Sequence, residues 1–484
     1  MKFRAFTCIF AMTLFGALVI PVRLAAQHTR YKLIDLGTLG GPTSQVNGSP
    51  PPMINDKGVV AGEADKSTPC SYLGGFVSPA FRWEDGVLTD LGSLHGGCFS
   101  LPNEINSKGM IVGSSDIGVI DPQTGLPEIR ADLLYQGQVI NMGTLGGTNS
   151  LANSINSRGQ ATGGAENTDP DPWNFGGLVG LPSPTAWHGF VWQAGTMRDL
   201  GTLGGPDSFG LVVSESARIT GFSFTNSAPS PTTGIPTVDP FLWDGGRMID
   251  LGTLGGTFGV GNDLNNRGQV VGFSDVAGDL ANHAFIWERG VLTDIGTLGG
   301  HTSTANWIND AGQVVGIADL PDGTHHAFVW RKGNMTDLGT VASDPCSNGF
   351  HINANGEVVG TSTDCLGTIL HTFLWENGSM IDLSAQVLPG SGFAFVEPVA
   401  INDRGEIAGN GTLNNGDVHA VLLKPDGPCD RDCEERIATG HNNAAQANQT
   451  ASNSNTAIRE RMPSTVLERL RNQMRQRYHM PGQN

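Results

Sequence analysis

The clearest pattern along the chain is a series of short apolar runs separated by glycine-rich polar turns. Residues 285–287 (Phe-Ile-Trp) form one run, and residues 314–315 (Val-Val) form another after the turn at 310–312 (Asp-Ala-Gly). Short runs rich in β-branched and aromatic residues are typical of β-strands. Four such runs occur before the pattern starts again, so the sequence predicts four antiparallel strands per repeat.

Three sequence elements recur in a fixed order, and each occurs eight times. The first reads D-L-G-T-L-G-G, the second I-N-x-x-G-x-V-V-G and the third H-A-F-x-W, with clear copies at Asp250, Ile308 and His283. Repeats of roughly 43–58 residues with four strands are typical of β-propeller blades.

The order of elements at the two ends of the repeat region predicts a closed ring. The repeats begin near Tyr31 with a D-L-G strand and finish at residues 419–423 with an H-A-F-like strand. One blade therefore needs strands from both ends, which removes open sheet edges. We predict an all-β fold, an eight-bladed propeller over residues 28–427. Seven blades is the alternative, because the copies at Ala131 and Val213 are weak.

Taken together, these elements resemble the HAF family of extracellular bacterial repeat proteins. The resemblance covers about 400 of the 484 residues. The resemblance implies an exported repeat protein. It implies no established substrate, cofactor or catalytic residue.

Composition narrows the class of protein further. The chain has 68 Gly and only 15% charged residues, which favours an all-β or loop-rich protein over a helical one. Its net charge of −18 argues against a nucleic-acid partner, because phosphate recognition needs clustered Lys and Arg.

Both ends of the chain differ from the repeat region. Residues 1–26 combine Lys2 and Arg4 with an apolar run and small residues at 24–26, which predicts a signal peptide and export to the periplasm or beyond. Residues 428–456 are predicted to be a low-complexity linker. Residues 457–484 are predicted to form a basic amphipathic helix, the one segment expected to contact a membrane.

Six cysteines remain after removal of the signal peptide, and an even number in an exported chain favours disulfides. We predict the pairs Cys70–Cys98 and Cys346–Cys365, because their loops leave the same side of a four-stranded repeat. Cys429 and Cys433 are predicted to pair locally.

The repeated His and Asp residues are predicted to be structural, because an active site needs residues that differ between repeats. We expect hydrogen bonds that hold the strands of a blade together. The residues concerned are His188, His283, His326, His371, His419, Asp199, Asp250, Asp294 and Asp337. No catalytic residue, metal site or cofactor is assigned. Calcium is a weak alternative, because acidic groups such as Asp275 with Asp279 and Asp319 with Asp322 do not complete a calcium-loop pattern.

Four long connections locate the predicted binding face. Residues 63–79, 114–130, 164–187 and 222–239 all lie between the V-V-G and H-A-F strands, which places them on one face of a propeller. Their aromatic residues are the predicted contacts: Trp173, Phe175, Trp187, Tyr72 and Phe76. The alternative is that these aromatics only pack the loops onto the ring.

We therefore predict a monomeric, secreted binding or scaffold module that recognises a polysaccharide or protein outside the cell. The alternative function is a secreted hydrolase or lyase acting on polysaccharide, with an active site built from loops of different blades.

Overall fold

The computed structural model describes residues 28–47, 52–72, 74–122, 125–171, 173, 175, 183–231, 234, 236–387 and 390–428. This part of the chain contains 32 β-strands, one short α-helix, α1 (Leu383–Val387), and a 3-10 turn at Leu94–Gly96. The predicted signal peptide, the Cys429–Cys433 pair and the tail helix lie outside the described residues, as does all of the predicted linker except Pro428.

The strands group into four-stranded units, each with the same internal order. The first strands of the units are β2 (Gly40–Gln45), β6 (Ser100–Ile105), β10 (Ser150–Ile155), β14 (Ser208–Val213), β18 (Gly255–Leu264), β22 (Ser303–Ile308), β26 (Cys346–Ile352) and β30 (Phe393–Ile401). The second strands are β3 (Val60–Lys66), β7 (Ile111–Ile120), β11 (Ala161–Pro170), β15 (Ile219–Phe224), β19 (Val270–Val276), β23 (Val314–Asp319), β27 (Val358–Thr363) and β31 (Ile407–Leu413).

The remaining strands complete each unit on its outer side. The third strands are β4 (Ala80–Glu84), β8 (Pro127–Tyr135), β12 (Thr185–Gln193), β16 (Val238–Asp244), β20 (Asn282–Glu288), β24 (His325–Arg331), β28 (Ile369–Glu376) and β32 (Val418–Pro428). The fourth strands are β5 (Val87–Gly92), β9 (Gln138–Gly143), β13 (Thr196–Asp199), β17 (Arg247–Asp250), β21 (Val291–Gly296), β25 (Asn334–Asp337), β29 (Ser379–Asp382) and β1 (Thr29–Asp35).

Hydrogen bonding joins these strands into six four-stranded sheets and one eight-stranded sheet among the described residues. The larger sheet consists of two antiparallel units, β14–β17 and β18–β21, that share one parallel pairing between Val238 and Phe258. Successive four-stranded antiparallel sheets are the units of a propeller-like fold. The all-β, propeller-like part of the prediction is therefore confirmed.

One sheet contains strands from both ends of the repeat region. β1 pairs antiparallel with β32, with Leu33 opposite Leu423 and Asp35 opposite Val421. This sheet contacts its neighbours on both sides, through β30 against β27 and β32 against β2.

The hydrophobic core lies between adjacent sheets, and the repeated H-A-F phenylalanine is its most regular component. The fully buried copies are Phe81, Phe190, Phe241, Phe285, Phe328 and Phe373. Burying a side chain of this size stabilises a fold by roughly 1.5–3 kcal/mol. The glycine of V-V-G allows neighbouring strands to approach each other closely, because a Cβ added to Gly316 in β23 would lie 2.0 Å from the carbonyl oxygen of Thr304 in β22.

Two disulfides join loops within the repeat region, as the sequence predicts. Cys70 bonds to Cys98 with a Cα–Cα distance of 5.6 Å, and Cys346 bonds to Cys365 at 5.1 Å. The predicted pairings are confirmed. No helix among the described residues is long and apolar enough to cross a membrane.

Candidate functional site

Antiparallel pairing divides the connections between two opposite sides of the sheets. Links from second to third strands and from fourth to first strands leave one side, which we call the connection face. Links from first to second strands and from third to fourth strands leave the other side, which we call the turn face. The long connections and both disulfides belong to the connection face.

Two of the five predicted binding aromatics, Trp187 and Phe175, are part of the core, as the alternative of packing the loops onto the ring expects. Trp187 lies in β12, pairs in register with Glu166, and is fully buried. Phe175 is also buried and packs against Phe209 and Phe222 at ring distances of 6.3 and 5.7 Å. Trp187 is buried because the antiparallel pairing of β11 with β12 extends into residues 164–187, which the sequence predicts to be a loop.

The other three aromatics lie at or near the surface of the connection face. The Tyr72 hydroxyl donates to Asp116 Oδ1 at 2.6 Å and accepts the N–H of Cys98 at 3.0 Å, which braces the first disulfide. Trp173 is partly buried, whereas Phe76 is exposed.

Most of the exposed large apolar side chains lie on the second-to-third connections of the connection face. Seven large hydrophobic residues are exposed among the described residues, and five of them lie on second-to-third connections or their flanking strand ends. Leu280 and Leu366 are 89% and 91% exposed. The other three are Phe76, Val119 and Ile120. These five residues are distributed over the first, second, fifth and seventh units.

The repeated His and Asp residues form hydrogen bonds between third and fourth strands. The Nδ1 atoms of His188, His283 and His326 lie 2.8 Å from carboxylate oxygens of Asp199, Asp294 and Asp337, and His419 lies 3.0 Å from Asp35. In four of the predicted Asp copies, Oδ1 also accepts the glycine N–H two residues later: Asp199, Asp250, Asp294 and Asp337. This geometry fits the structural role expected from their repetition.

The other four units lack this pair, and the first two of them have Pro79 and Arg130 at the histidine position. His371 bonds to Asp344 at 2.7 Å instead of to the D-L-G aspartate of its own unit. Asp239 occupies the histidine position beside Asp250, and burial together with the Asp250 carboxyl raises the pKa of Asp239 to about 7.

The turn face carries a series of asparagine hydrogen bonds that sequence reasoning missed. In each I-N-x-x-G turn, the Asn Oδ1 accepts N–H groups of its own turn, as Asn309 does from Ala311 and Gln313. Its Nδ2 donates to a backbone carbonyl of the next unit, as from Asn309 to Asn353 at 2.9 Å. The repeated asparagine therefore closes one turn and binds the following one.

This donation makes seven of the eight links between neighbouring turns. Nδ2 donations run from Asn265 through Asn309, Asn353 and Asn402 to the carbonyl of Asn55, and continue through Asn106 and Asn156 to that of Ser214. The side chain of Ser214 has no amide group. Its unit is joined to the next by the backbone N–H of Glu215, which donates to Asn266 Oδ1 at 2.9 Å.

A cavity of about 330 Å³ opens among these turns and is lined by residues from all eight units. In the first strand of seven units, a β-bulge lies two residues before the repeated asparagine. One of these seven units has Ser214 in place of the asparagine, and its bulge lies at the same position. Bulges redirect side chains. The residue at this position differs in every unit: Glu104, Ser154, Val212, Asp263, Trp307, His351 and Ala400.

The polar residues at this position also bind the next unit. Glu104 Oε2 accepts the N–H of Ile155 at 2.6 Å, and Asp263 Oδ2 accepts that of Ile308 at 2.8 Å. Burial, with smaller contributions from Asp263 and Glu215, raises the pKa of Glu104 to about 8. Burial lowers the pKa of His351 to about 3, so its ring is neutral at physiological pH.

Sequence reasoning missed this cavity, although a signal was present. The position before Ile-Asn varies from unit to unit while its neighbours repeat, and variation of this kind is expected where a site is built on a repeated scaffold. Within the described residues, no three His, Cys, Asp or Glu side chains are close enough together to hold a metal ion.

Comparison with known proteins gives distant structural likenesses. No family model and no curated protein matches the chain. The chain is similar to the β-propeller domain of the trilobed protease from Pyrococcus furiosus, with a TM-score of 0.38 and 13% identity over 60% of this chain and 83% of that one.

Two further solved structures are similar at the same level. TolB from Acinetobacter baumannii has a TM-score of 0.31 and 10% identity over 68% of this chain and 86% of that one. A gluconolactonase from Xanthomonas campestris has a TM-score of 0.30 and 12% identity, covering 83% and 92% respectively. At these scores the likenesses assign no function.

Proposed function

We propose that the chain is an exported, eight-bladed β-propeller of HAF-type repeats, with residues 1–26 as its signal peptide. The eight four-stranded units, and the donation from Asn402 Nδ2 in the last unit to the Asn55 carbonyl in the first, support this blade count. The pairing of β1 with β32 supports closure of the ring by both ends of the repeat region. The two disulfides support an oxidising location, periplasmic or extracellular.

The function that we propose is protein binding through the connection face. The observation that carries it is that five of the seven exposed large hydrophobic residues among the described residues lie on this face, among them Leu280, Leu366 and Phe76. Burying such side chains against a partner is the main favourable term in protein association. The disulfide and the Tyr72 hydrogen bonds keep one of these loops in place, which reduces the entropy lost on binding.

A protein partner fits these residues better than a polysaccharide does. Of the five exposed apolar residues, four are aliphatic and carry no group that can hydrogen-bond to sugar hydroxyls. Of the five aromatic residues that the sequence predicts to contact a polysaccharide or protein, Phe175 and Trp187 are buried.

Substitution on the two faces tests the proposal. A connection-face variant carries Phe76→Ser, Leu280→Ser and Leu366→Ser, and the control carries Val87→Ser and Val291→Ser. Val87 and Val291 are also exposed but follow third-to-fourth turns on the turn face. Both variants and the wild-type protein would be immobilised and incubated with the secreted proteins of the source organism, followed by quantitative mass spectrometry.

We expect specific proteins that the wild type and the control retain and the connection-face variant loses. Equal retention by all three would contradict the proposal. Saturable binding to a polysaccharide panel, or its cleavage, with no retained protein would instead favour the alternative of a polysaccharide hydrolase or lyase.

A further inference from the structure

The two disulfides of the connection face differ in how accessible they are. Cys346 is fully buried at the start of β26, whereas its partner Cys365 is partly exposed in the link between β27 and β28. In the other disulfide both Cys70 and Cys98 are buried, with 7% and 5% exposure. A thiol from solution therefore reaches the Cys346–Cys365 bond more readily, and it does so from the side of Cys365.

The buried sulfur of this bond contacts a histidine of the preceding unit. His325 is the first residue of β24, and its backbone N–H donates to Cys346 Sγ at 3.3 Å, while Nδ1 of its ring lies 3.4 Å from the same sulfur. Hydrogen-bond donors and a neighbouring histidine favour the thiolate form of a cysteine. A cysteine with a lower thiol pKa is a better leaving group in disulfide exchange. Cys346 is therefore suited to leave when the bond is attacked at Cys365.

The His325 ring can hold the released sulfur in either protonation state. Burial, with a smaller contribution from His326, lowers the pKa of His325 against the effect of Asp319, so the ring is neutral while the disulfide is intact. After the bond opens, Cys346 Sγ and His325 Nδ1 share one proton, as a thiol beside a neutral ring or as a thiolate beside an imidazolium. Asn348 also hydrogen-bonds to the ring, and its amide can donate or accept, so it is compatible with both states.

The surroundings of the other disulfide oppose a thiolate. The backbone N–H of Cys98 lies 3.1 and 2.9 Å from the two carboxylate oxygens of Asp116, and 3.0 Å from the Tyr72 hydroxyl. The Asp116 carboxylate therefore places a negative charge close to this cysteine. A like charge raises the pKa of a thiol and makes it a poorer leaving group.

We propose that Cys346–Cys365 is a redox-active disulfide that exchanges with an external dithiol, with Cys365 as the attacked sulfur and His325 holding the released Cys346. Opening the bond removes the covalent tie between β26 and the link that carries the exposed Leu366. The exchange does not depend on the protein binding proposed above.

The reaction has two steps. A thiolate of the dithiol forms a bond to Cys365 Sγ, and the Cys346–Cys365 bond breaks with its electron pair moving to Cys346 Sγ. The second thiolate of the dithiol then attacks the external sulfur of this mixed disulfide, which releases Cys365 as a thiolate. The two protein thiolates take up the two protons that the dithiol has lost. The protein disulfide thus gains two electrons and two protons, and the dithiol becomes a disulfide.

Alkylation of free thiols followed by peptide mass spectrometry tests the proposal. The full chain would be incubated under native conditions with dithiothreitol or with a reduced thioredoxin-type protein, and samples would be quenched with acid over time. We expect Cys346–Cys365 to be reduced at least about tenfold faster than Cys70–Cys98, because its leaving thiolate is better stabilised. Preference for one reductant tells a protein dithiol from a small one, and either preference supports the proposal.

Glutathione identifies the attacked sulfur. It has a single thiol, so its exchange with the protein stops at the mixed disulfide. Peptide mapping after acid quenching should place the glutathione adduct on Cys365 and not on Cys346.

The variant His325→Val removes the ring beside the sulfur. Val418 occupies the equivalent register position in the last unit, so the fold accepts this residue there. We expect reduction of Cys346–Cys365 to slow by about three- to tenfold, the effect of losing one hydrogen bond to a charged sulfur. A purely structural role for His325 predicts the opposite, because a loosened loop would expose the bond.

The control variant is His283→Val, whose histidine bonds to Asp294 in the preceding unit and should leave both reduction rates unchanged. The proposal is overturned if Cys70–Cys98 is reduced as fast as Cys346–Cys365 in the wild type, if glutathione is found on Cys346, or if His325→Val leaves the rate unchanged or raises it. Should His325→Val fail to fold, the two wild-type measurements decide.

Discussion

Removal of one asparagine amide from the turn face is expected to destabilise the fold far more than a surface substitution does. Asn309 is buried, and its side chain makes four hydrogen bonds: Oδ1 accepts from Ala311 and Gln313, and Nδ2 donates to Gln313 Oε1 and to the Asn353 carbonyl. Asn309→Ala removes all four. At roughly 0.5–1.5 kcal/mol per bond, and with two N–H groups left without acceptors, the loss is about 2–4 kcal/mol.

The chain itself suggests an intermediate variant. Ser214 occupies the asparagine position in its unit, and its hydroxyl accepts the N–H of Arg218 at 3.2 Å, but it has no amide to donate onward. Asn309→Ser is therefore expected to keep part of the turn and lose the link to the next unit, for a loss of about 1–2 kcal/mol. Asn334→Ala, at an exposed strand position, is the control and should change stability by less than about 0.5 kcal/mol.

Urea unfolding followed by tryptophan fluorescence measures these differences through the transition midpoints. From most to least stable, the variants should rank Asn334→Ala, Asn309→Ser and Asn309→Ala. If Asn309→Ala were as stable as the Asn334→Ala control, the asparagine series would not hold the units together, and the reasoning would be wrong.

Three other consequences concern the repeat contacts and the core. Hydrogen bonding to Asp344 raises the pKa of His371. The pair therefore stabilises the fold fully below about pH 6.5 and loses this contribution as the pH rises. The Asp344→Asn substitution should lower the melting temperature more at pH 6 than at pH 9. Replacing Cys70 and Cys98 by Ser should reduce stability by roughly 2–4 kcal/mol, and reductant should destabilise the wild type by at least as much, because it also breaks the Cys346–Cys365 bond. Trp187→Ala should cost about 3–5 kcal/mol in chemical unfolding, which a surface location for that ring would not allow.

The four-stranded repeat could be predicted because its determinants are local. Alternating apolar residues and the turn glycines lie within a few positions of one another, as in the run from Ile308 to Val315. The disulfide pairs could also be predicted, because the order of antiparallel strands determines which loops leave the same side of a sheet.

The asparagine series could not be predicted because its hydrogen-bond partners lie in other units. Asn309 and the Asn353 carbonyl are 44 residues apart, and nothing near either position shows that they meet. The burial of Trp187 was missed because a ladder can extend into a connection that has no strand pattern of its own. Pro170 pairs with Thr185 although the sequence around it is typical of a loop.

Site-specific photo-crosslinking tests the proposed binding function most directly. A photoreactive amino acid would replace Leu280 or Leu366 on the connection face, or Val87 or Val291 on the turn face, in the full chain exposed to the secreted proteins of the source organism. We expect the same protein partner to be crosslinked from both connection-face positions and from neither turn-face position. Equal crosslinking from both faces, or none from Leu280 and Leu366, would contradict the assignment of the connection face as the protein-binding surface.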